Sequence, residues 1–143
     1  MSKSIWHAPL SVSSLNTWCE NTIHTSLGIQ ITEVGSDYLT GSMPVGSRTK
    51  QPQGLLHGGA SVVLAESLGS IASSMALDSA THQGLGIEIN ANHLSPVTDG
   101  IVTGTCKPIH LGATLHVWGI TIVDDKSNLI CTARLTVIVR KIA

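Results

Sequence analysis

The sequence predicts an α+β fold, with one antiparallel sheet wrapped around one long central helix. Two observations carry that prediction. The run from Gly58 to Leu77, "GGASVVLAESLGSIASSMAL", holds no breaker except Gly69 and is apolar almost all round, as a helix buried on most sides is. Four strand-like runs follow it: "LGIEINANHL", "IVTGTCKPIH", "TLHVWGITIV" and "LICTARLTVIVR". The turn-rich stretches "SPVTDG", "LGA" and "DDKSN" part them.

The earlier elements are shorter. "SVSSLNTWCEN" offers a Ser cap and places Leu15, Trp18 and Cys19 at helical spacing, so it reads as a short amphipathic helix. "GIQITEV" alternates Ile29 and Ile31 with outward polar residues, as a half-buried strand does. "GSD" turns the chain into "YLTGSM", completing a hairpin. "PVGSRTKQPQG" is dense in Pro, Gly and polar residues and reads as a loop, and "DSATHQG" reads as the turn after the long helix. One face of the sheet covers the helix, and a second copy of the protein would cover the other.

Composition narrows the function classes. The 143 residues are expected to form one domain, 1–143, with no repeat, linker or low-complexity segment. A content of 42% hydrophobic and 12% charged residues excludes disorder, and a net charge of −1 offers no basic field to nucleic acid. So few charges leave excess apolar surface, which an oligomer would hide. Three Trp, one Tyr and no Phe make the core aliphatic and β-branched. Cys19, Cys106 and Cys131 form no disulfide or zinc framework, and the last two sit in strand-like runs as buried thiols do. No apolar run reaches the ~20 residues that span a bilayer, and "MSKSIWHAPLSVSS" has no signal-peptide core. The cytoplasm is the expected compartment, with no membrane partner.

Glu66 is the residue that stands out. Glu66, Ser70 and Ser73 follow i, i+4, i+7 spacing and form a narrow polar stripe on an apolar helix. A carboxylate in that setting is costly unless it is paired or faces a cavity, and its pKa tends upward, which suits a general base. The plainer reading is a surface glutamate touching solvent. "LLHGGAS" places His57 before the helix and Gly58 and Gly59 at its start, where backbone N–H groups lack partners and the dipole is positive. Glycine there admits close approach, so the segment is either an oxyanion hole or simply a tight turn. At ~1.5 Å per residue, a substrate along the first half of the helix could reach both Gly58 and Glu66. Gln51, just upstream, could bind a water or a carbonyl, or be a solvated loop amide.

Other chemistries lack their signatures. There is no G-x-S-x-G elbow and no P-loop. His82, His93, His110 and His116 follow no metal-ligand pattern, so no metal site is expected. "NANH", Asn90 to His93, ends a strand where it could line a cleft.

These residues together resemble the hotdog-fold acyl-CoA thioesterases. "QPQGLLHGGASVVLAESLGS", "GIEINANHLSPV" and "CKPIHLGATLHVW" carry the likeness, which runs most clearly from about Leu27 to Val139. The combined Q-P-x-G-x-x-H-G-G-x-S-x-x-L-A-E pattern is specific where its pieces are not. The likeness is strongest to the subgroup that hydrolyses aromatic acyl thioesters in menaquinone and enterobactin synthesis.

The resemblance implies a hotdog fold, subunits joined edge to edge, dimers paired into a homotetramer, and active sites built by two chains at the dimer interface. It implies hydrolysis of an acyl-CoA, of hydroxybenzoyl or 1,4-dihydroxy-2-naphthoyl type, to free acid and CoA. No cofactor is implied, since CoA belongs to the substrate. Glu66 matches the catalytic carboxylate, acting as nucleophile or as general base on water. Gly58 matches the N–H that polarises the carbonyl. His57 and Gln51 match flanking orienting residues, and Ser70 a hydroxyl one turn past the carboxylate. His93 falls where the family lines the acyl and pantetheine channel, and Gly86 near the ligand.

There are departures. Gln53 and Ser74 stand where relatives carry aromatic or bulky rings, Ser74 facing the acyl group. Ser95 and Thr114 stand where some relatives carry arginines near the coenzyme phosphates. Smaller residues would admit a larger or less aromatic acyl group. Two other readings keep the fold. One is a hydrolase of acyl groups on a carrier-protein phosphopantetheine, for which Arg48 and Lys50 are candidate docking cations that could equally meet CoA phosphates or water. The other is a non-catalytic acyl-CoA-binding module, against which Glu66 argues. Dehydratase relatives use a His with Glu or Asp on a related helix, a poorer match to this spacing.

Overall fold

The computed structural model describes residues 3–143. Its helices are α1 (Val12–Trp18), α2 (Ile23–Leu27) and α3 (Gly58–Ala76). Its strands are β1 (Gln30–Val34), β2 (Leu39–Pro44), β3 (His82–His93), β4 (Ile101–Leu111), β5 (Leu115–Val123) and β6 (Leu129–Lys141). The strands form one six-stranded sheet in the order β1-β2-β4-β5-β6-β3, every neighbouring pair antiparallel. The chain therefore adopts the expected α+β architecture, with α3 laid across the sheet.

Side-chain alternation explains the layering. Along β5, His116, Trp118, Ile120 and Ile122 are buried while the residues between them are half-buried or exposed, the period-two pattern of a strand with one covered face. Leu64 and Leu68 of α3 meet that face, fully buried together with Leu39, Met43, Val102, Trp118 and Leu135. α3 has no acidic residue in its first turn and no basic residue in its last, so its dipole is uncompensated. Apolar burial, worth about 1.5–3 kcal/mol for each large side chain, is what holds it on the sheet.

One polar contact adds to this packing. Ser73 on α3 is 1% exposed and sits between two β5 residues. Trp118 Nε1 donates to Ser73 Oγ at 2.6 Å, and His116 Nδ1 lies 3.1 Å from the same oxygen. An indole N–H can only donate, so the Ser73 proton is free for His116 Nδ1, which makes His116 a neutral Nε2–H tautomer. Burial and nearby His110 pull the His116 pKa down, in keeping with that neutral form. Ser73→Ala leaves buried polar atoms unpartnered on both rings. It is expected to cost about 1–3 kcal/mol, read as a lower urea midpoint with an unchanged slope. An unchanged midpoint would show that the contact adds nothing to stability.

Two features differ from the sequence reading. The segment between the first helix and β1 holds a second short helix, α2, with Thr22 as its N-cap and Gly28 closing it at φ 71°. One helical turn shows no periodicity, although its Thr and Gly end signals are those helices use. β3 also begins at His82, inside the stretch read as a turn, because His82, Gln83 and Gly84 pair with Lys141, Arg140 and Val139 of β6. β3 is an edge strand of 12 residues, with Leu85 and Ile87 exposed and a bulge between Gly86 and Glu88. A long unpaired edge of this kind is a template for pairing with another strand.

Candidate active site

The start of α3 forms one cluster. His57 is its N-cap, and its Nδ1 accepts from the Gly59 N–H at 2.8 Å. The His57 cap therefore occupies one of the orphan donors of the first turn. The Gly58 N–H finds no acceptor among the described residues. Of the two glycines, Gly58 is thus the one with a donor to offer. A Cβ at Gly58 would lie 2.8 Å from His93 Nε2, so the end of β3 stands directly against this backbone. Gly58, Gln51 and His93 line one cavity of ≈ 340 Å³ together with Ser95 and Ile130. The Gln51 side chain folds onto its own loop, accepting from the Gln53 N–H and donating to Gln53 Oε1 at 3.4 Å.

Glu66 belongs to a second cavity, of ≈ 430 Å³. Ser70 Oγ donates to Glu66 Oε1 at 3.4 Å, the helical i, i+4 contact expected from the spacing. β3 crosses over the carboxylate so closely that a Cβ at Gly86 would lie 2.5 Å from Glu66 Oε1. Ser67, Ser70, Ile71 and Ser74 continue the α3 wall, and Trp18, Cys19, Thr22 and His24 form the opposite wall. The polar stripe read from the sequence divides here. Glu66 and Ser70 face the cavity, Ser73 turns into its buried contact with β5, and Ser74 takes the next place along the cavity.

One protomer does not join the two clusters. Gly58 lines the first cavity and Glu66 the second. They are eight residues apart, ~12 Å along the axis, and successive turns of a packed helix face different neighbours.

Desolvation raises the Glu66 pKa above that of an ordinary glutamate, and the Ser70 hydrogen bond partly opposes the rise. A carboxylate that must be ionised to act then loses activity at a higher pH than usual. If Glu66 is that group, kcat/KM falls on the acid side through this raised value, and the limb vanishes in Glu66→Gln. A pH–rate profile of both proteins measures it. A limb surviving in the variant would assign it elsewhere.

The sequence reading missed the wall supplied by α1 and α2. Thr22 Oγ1 donates to the Cys19 carbonyl at 2.5 Å, so toward His24 Nδ1, 2.8 Å away, it is an acceptor. His24 Nδ1 therefore carries the proton and Nε2 the lone pair, buried without a partner, while burial lowers the ring's pKa. Only the Thr22 cap signalled this wall in the sequence. Arg48, a candidate docking cation, instead donates to the Thr25 and Ser26 carbonyls near the end of α2, at 3.4 and 3.1 Å. Among the described residues no His, Cys, Asp and Glu side chains gather as metal ligands, and no helix is long and apolar enough to cross a membrane.

Comparison with known proteins places this geometry. The thioesterase superfamily model matches residues 53–131, which hold Gly58, Glu66, Ser70, Gly86 and His93. The chain is 48% identical over 132 residues to 1,4-dihydroxy-2-naphthoyl-CoA hydrolase of Escherichia coli, covering 92% of this chain and 96% of that one. The crystal structure of a mutant thioesterase PA1618 from Pseudomonas aeruginosa superposes with a TM-score of 0.95 at 47% identity, over 97% of this chain and 100% of the other. Thioesterase HI1161 from Haemophilus influenzae gives 0.93 at 43% identity, over 96% and 95%.

Proposed function

Because this chain belongs to the thioesterase superfamily, with its hotdog fold, we propose that it hydrolyses an acyl-CoA with an aromatic acyl group, of hydroxybenzoyl or 1,4-dihydroxy-2-naphthoyl type. The observation that carries this is Glu66: a desolvated carboxylate, hydrogen-bonded to Ser70, on a cavity large enough for a ring. The relative named 1,4-dihydroxy-2-naphthoyl-CoA hydrolase supports the acyl class.

In this reading two protomers complete each site. The carbonyl oxygen accepts from the Gly58 N–H of one protomer, while Glu66 of its partner faces the carbonyl carbon. The separate cavities of one chain support this division, and the position of β3 at the edge of the sheet, with Leu85 and Ile87 exposed, supports strand pairing between copies. Glu66 either takes a proton from water, which adds to the carbon, or attacks it directly to form an anhydride that water then opens. Either way the C–S bond breaks, and the CoA thiolate leaves and is protonated. Gly58 stabilises the developing oxyanion, a contribution typically of ~10²–10³ in rate. His57 holds the helix start so that the Gly58 donor stays free, Gln51 orients the carbonyl or water, and Ser70 steers the carboxylate. His93 and Gly86 bound the substrate channel. No step calls for a metal or redox cofactor.

CoA release is the test. Hydroxybenzoyl- and 1,4-dihydroxy-2-naphthoyl-CoA are expected to turn over faster than acetyl-CoA, with the acid as coproduct. Turnover only of acyl groups on a carrier protein would replace CoA by that carrier. Tight binding without release would make the chain a binding module.

A further inference from the structure

Buried polar atoms in a folded protein are nearly all hydrogen-bonded, so an exception calls for a reason. Among the described residues one buried side-chain nitrogen or oxygen lacks a partner, and it is His24 Nε2. The His24 ring stands in the wall of the ≈ 430 Å³ cavity that holds Glu66. The opposite edge of the ring is pinned. Thr22 Oγ1 gives its own proton to the Cys19 carbonyl and accepts from His24 Nδ1 at 2.8 Å. It also accepts from the His24 N–H at 3.3 Å, as the cap of α2. These contacts fix the tautomer, so Nε2 presents a lone pair and no proton. Burial lowers the ring's pKa, which keeps that lone pair in place near neutral pH. Glu66 and Ser70 bond each other across the cavity, and Trp18, Cys19 and Ile71 offer a bound ring apolar contact. His24 adds one fixed acceptor to the wall facing Glu66. Nε2 is shielded from solvent, so a donor reaches it as α2, a helix of five residues, gives way slightly, a change that binding sites commonly make.

We propose that His24 Nε2 accepts a hydrogen bond from a hydroxyl on the acyl ring, and so makes this chain select hydroxylated aromatic acyl groups over their unsubstituted counterparts. This rests on the hydrolase reading above and names the residue that reads the ring. The thioester lies at Glu66 and the hydroxyl points to the α2 wall. A neutral lone pair suits an O–H donor. It gains nothing from an ether oxygen at the same place, which has no proton to give. Discrimination follows because a hydroxyl fills a hydrogen bond that a bare ring leaves unmade.

The experiment compares kcat/KM for benzoyl-CoA with that for 2-, 3- and 4-hydroxybenzoyl-CoA. Wild type is expected to favour at least one hydroxy isomer over benzoyl by about tenfold, the scale of one buried hydrogen bond. The methoxy analogue of that isomer should lose the advantage, a comparison that needs no variant. His24→Phe keeps a ring and removes the acceptor, so the hydroxy-to-benzoyl ratio should fall toward unity. His24→Gln restores an acceptor oxygen and should recover part of the ratio. The ratio is the readout, because each variant then serves as its own control for folding and for the state of Glu66. Hydrolysis of benzoyl-CoA with no gain from a hydroxyl at any position would overturn this inference alone. So would a wild-type ratio in His24→Phe, or a methoxy analogue that keeps the advantage. Failure to hydrolyse any acyl-CoA, benzoyl included, would overturn the hydrolase reading and this one with it.

Discussion

Glu66→Gln is expected to cut CoA release from an aromatic acyl-CoA by about 10²–10⁴-fold, the usual worth of a positioned base. The amide keeps the shape and the Ser70 contact but can neither take a proton nor form an anhydride. KM should change little, because the loss falls on the transition state. Release within about threefold of wild type would remove Glu66 from the mechanism. Stability should move the other way. The folded-state pKa of Glu66 is raised, so the folded protein holds this proton more tightly than the unfolded chain does. The group's contribution is therefore fully present below the unfolded value and is lost as pH rises through the folded one. Near neutral pH the ionised carboxylate opposes folding, and the Gln variant should unfold at higher urea than wild type. The difference should close as pH falls below the ordinary glutamate range. An advantage that persisted there would assign it to packing rather than charge.

Gly86→Ala is expected to lower kcat by about 10²-fold, the scale of an ångström-sized misplacement of a reacting group. The new Cβ would stand 2.5 Å from Glu66 Oε1, so the carboxylate must move. Alanine suits a strand better than glycine, so the fold itself has no reason to fail. The informative pattern is a loss in kcat with the oligomeric state unchanged by light scattering. Dissociation of the oligomer would instead point to β3 as the interface it is proposed to be. Wild-type kcat would show that the carboxylate tolerates displacement and that its orientation matters less than its charge.

Much of this was legible in the chain. The breaker-free run from Gly58, the alternation in β5 and the turn-rich connectors reflect local periods of 3.6 and 2, which a one-dimensional pattern records directly. The Glu66–Ser70 contact was legible for the same reason, since i, i+4 neighbours meet on any α-helix. α2 was not legible, because one turn leaves no period to detect. The role of Ser73 was not legible, because helical spacing gives the face of a residue but not its partner, and the partners, His116 and Trp118, lie more than forty residues away in sequence.

The sequence by itself determined the architecture, the one long buried helix and the chemical types available at its start and two turns on. These follow from local periodicity and from the cost of placing a charge among apolar residues. Only the tertiary structure decided which of two adjacent glycines keeps a free N–H, which strand lies over the carboxylate, and that α1 and α2 wall its cavity. It alone separated Gly58 and Glu66 into different cavities of one protomer. The physical reason is common to all four. Each depends on which distant segments are pressed together, and burying apolar surface sets that globally, through a non-directional force that leaves no fixed spacing along the chain.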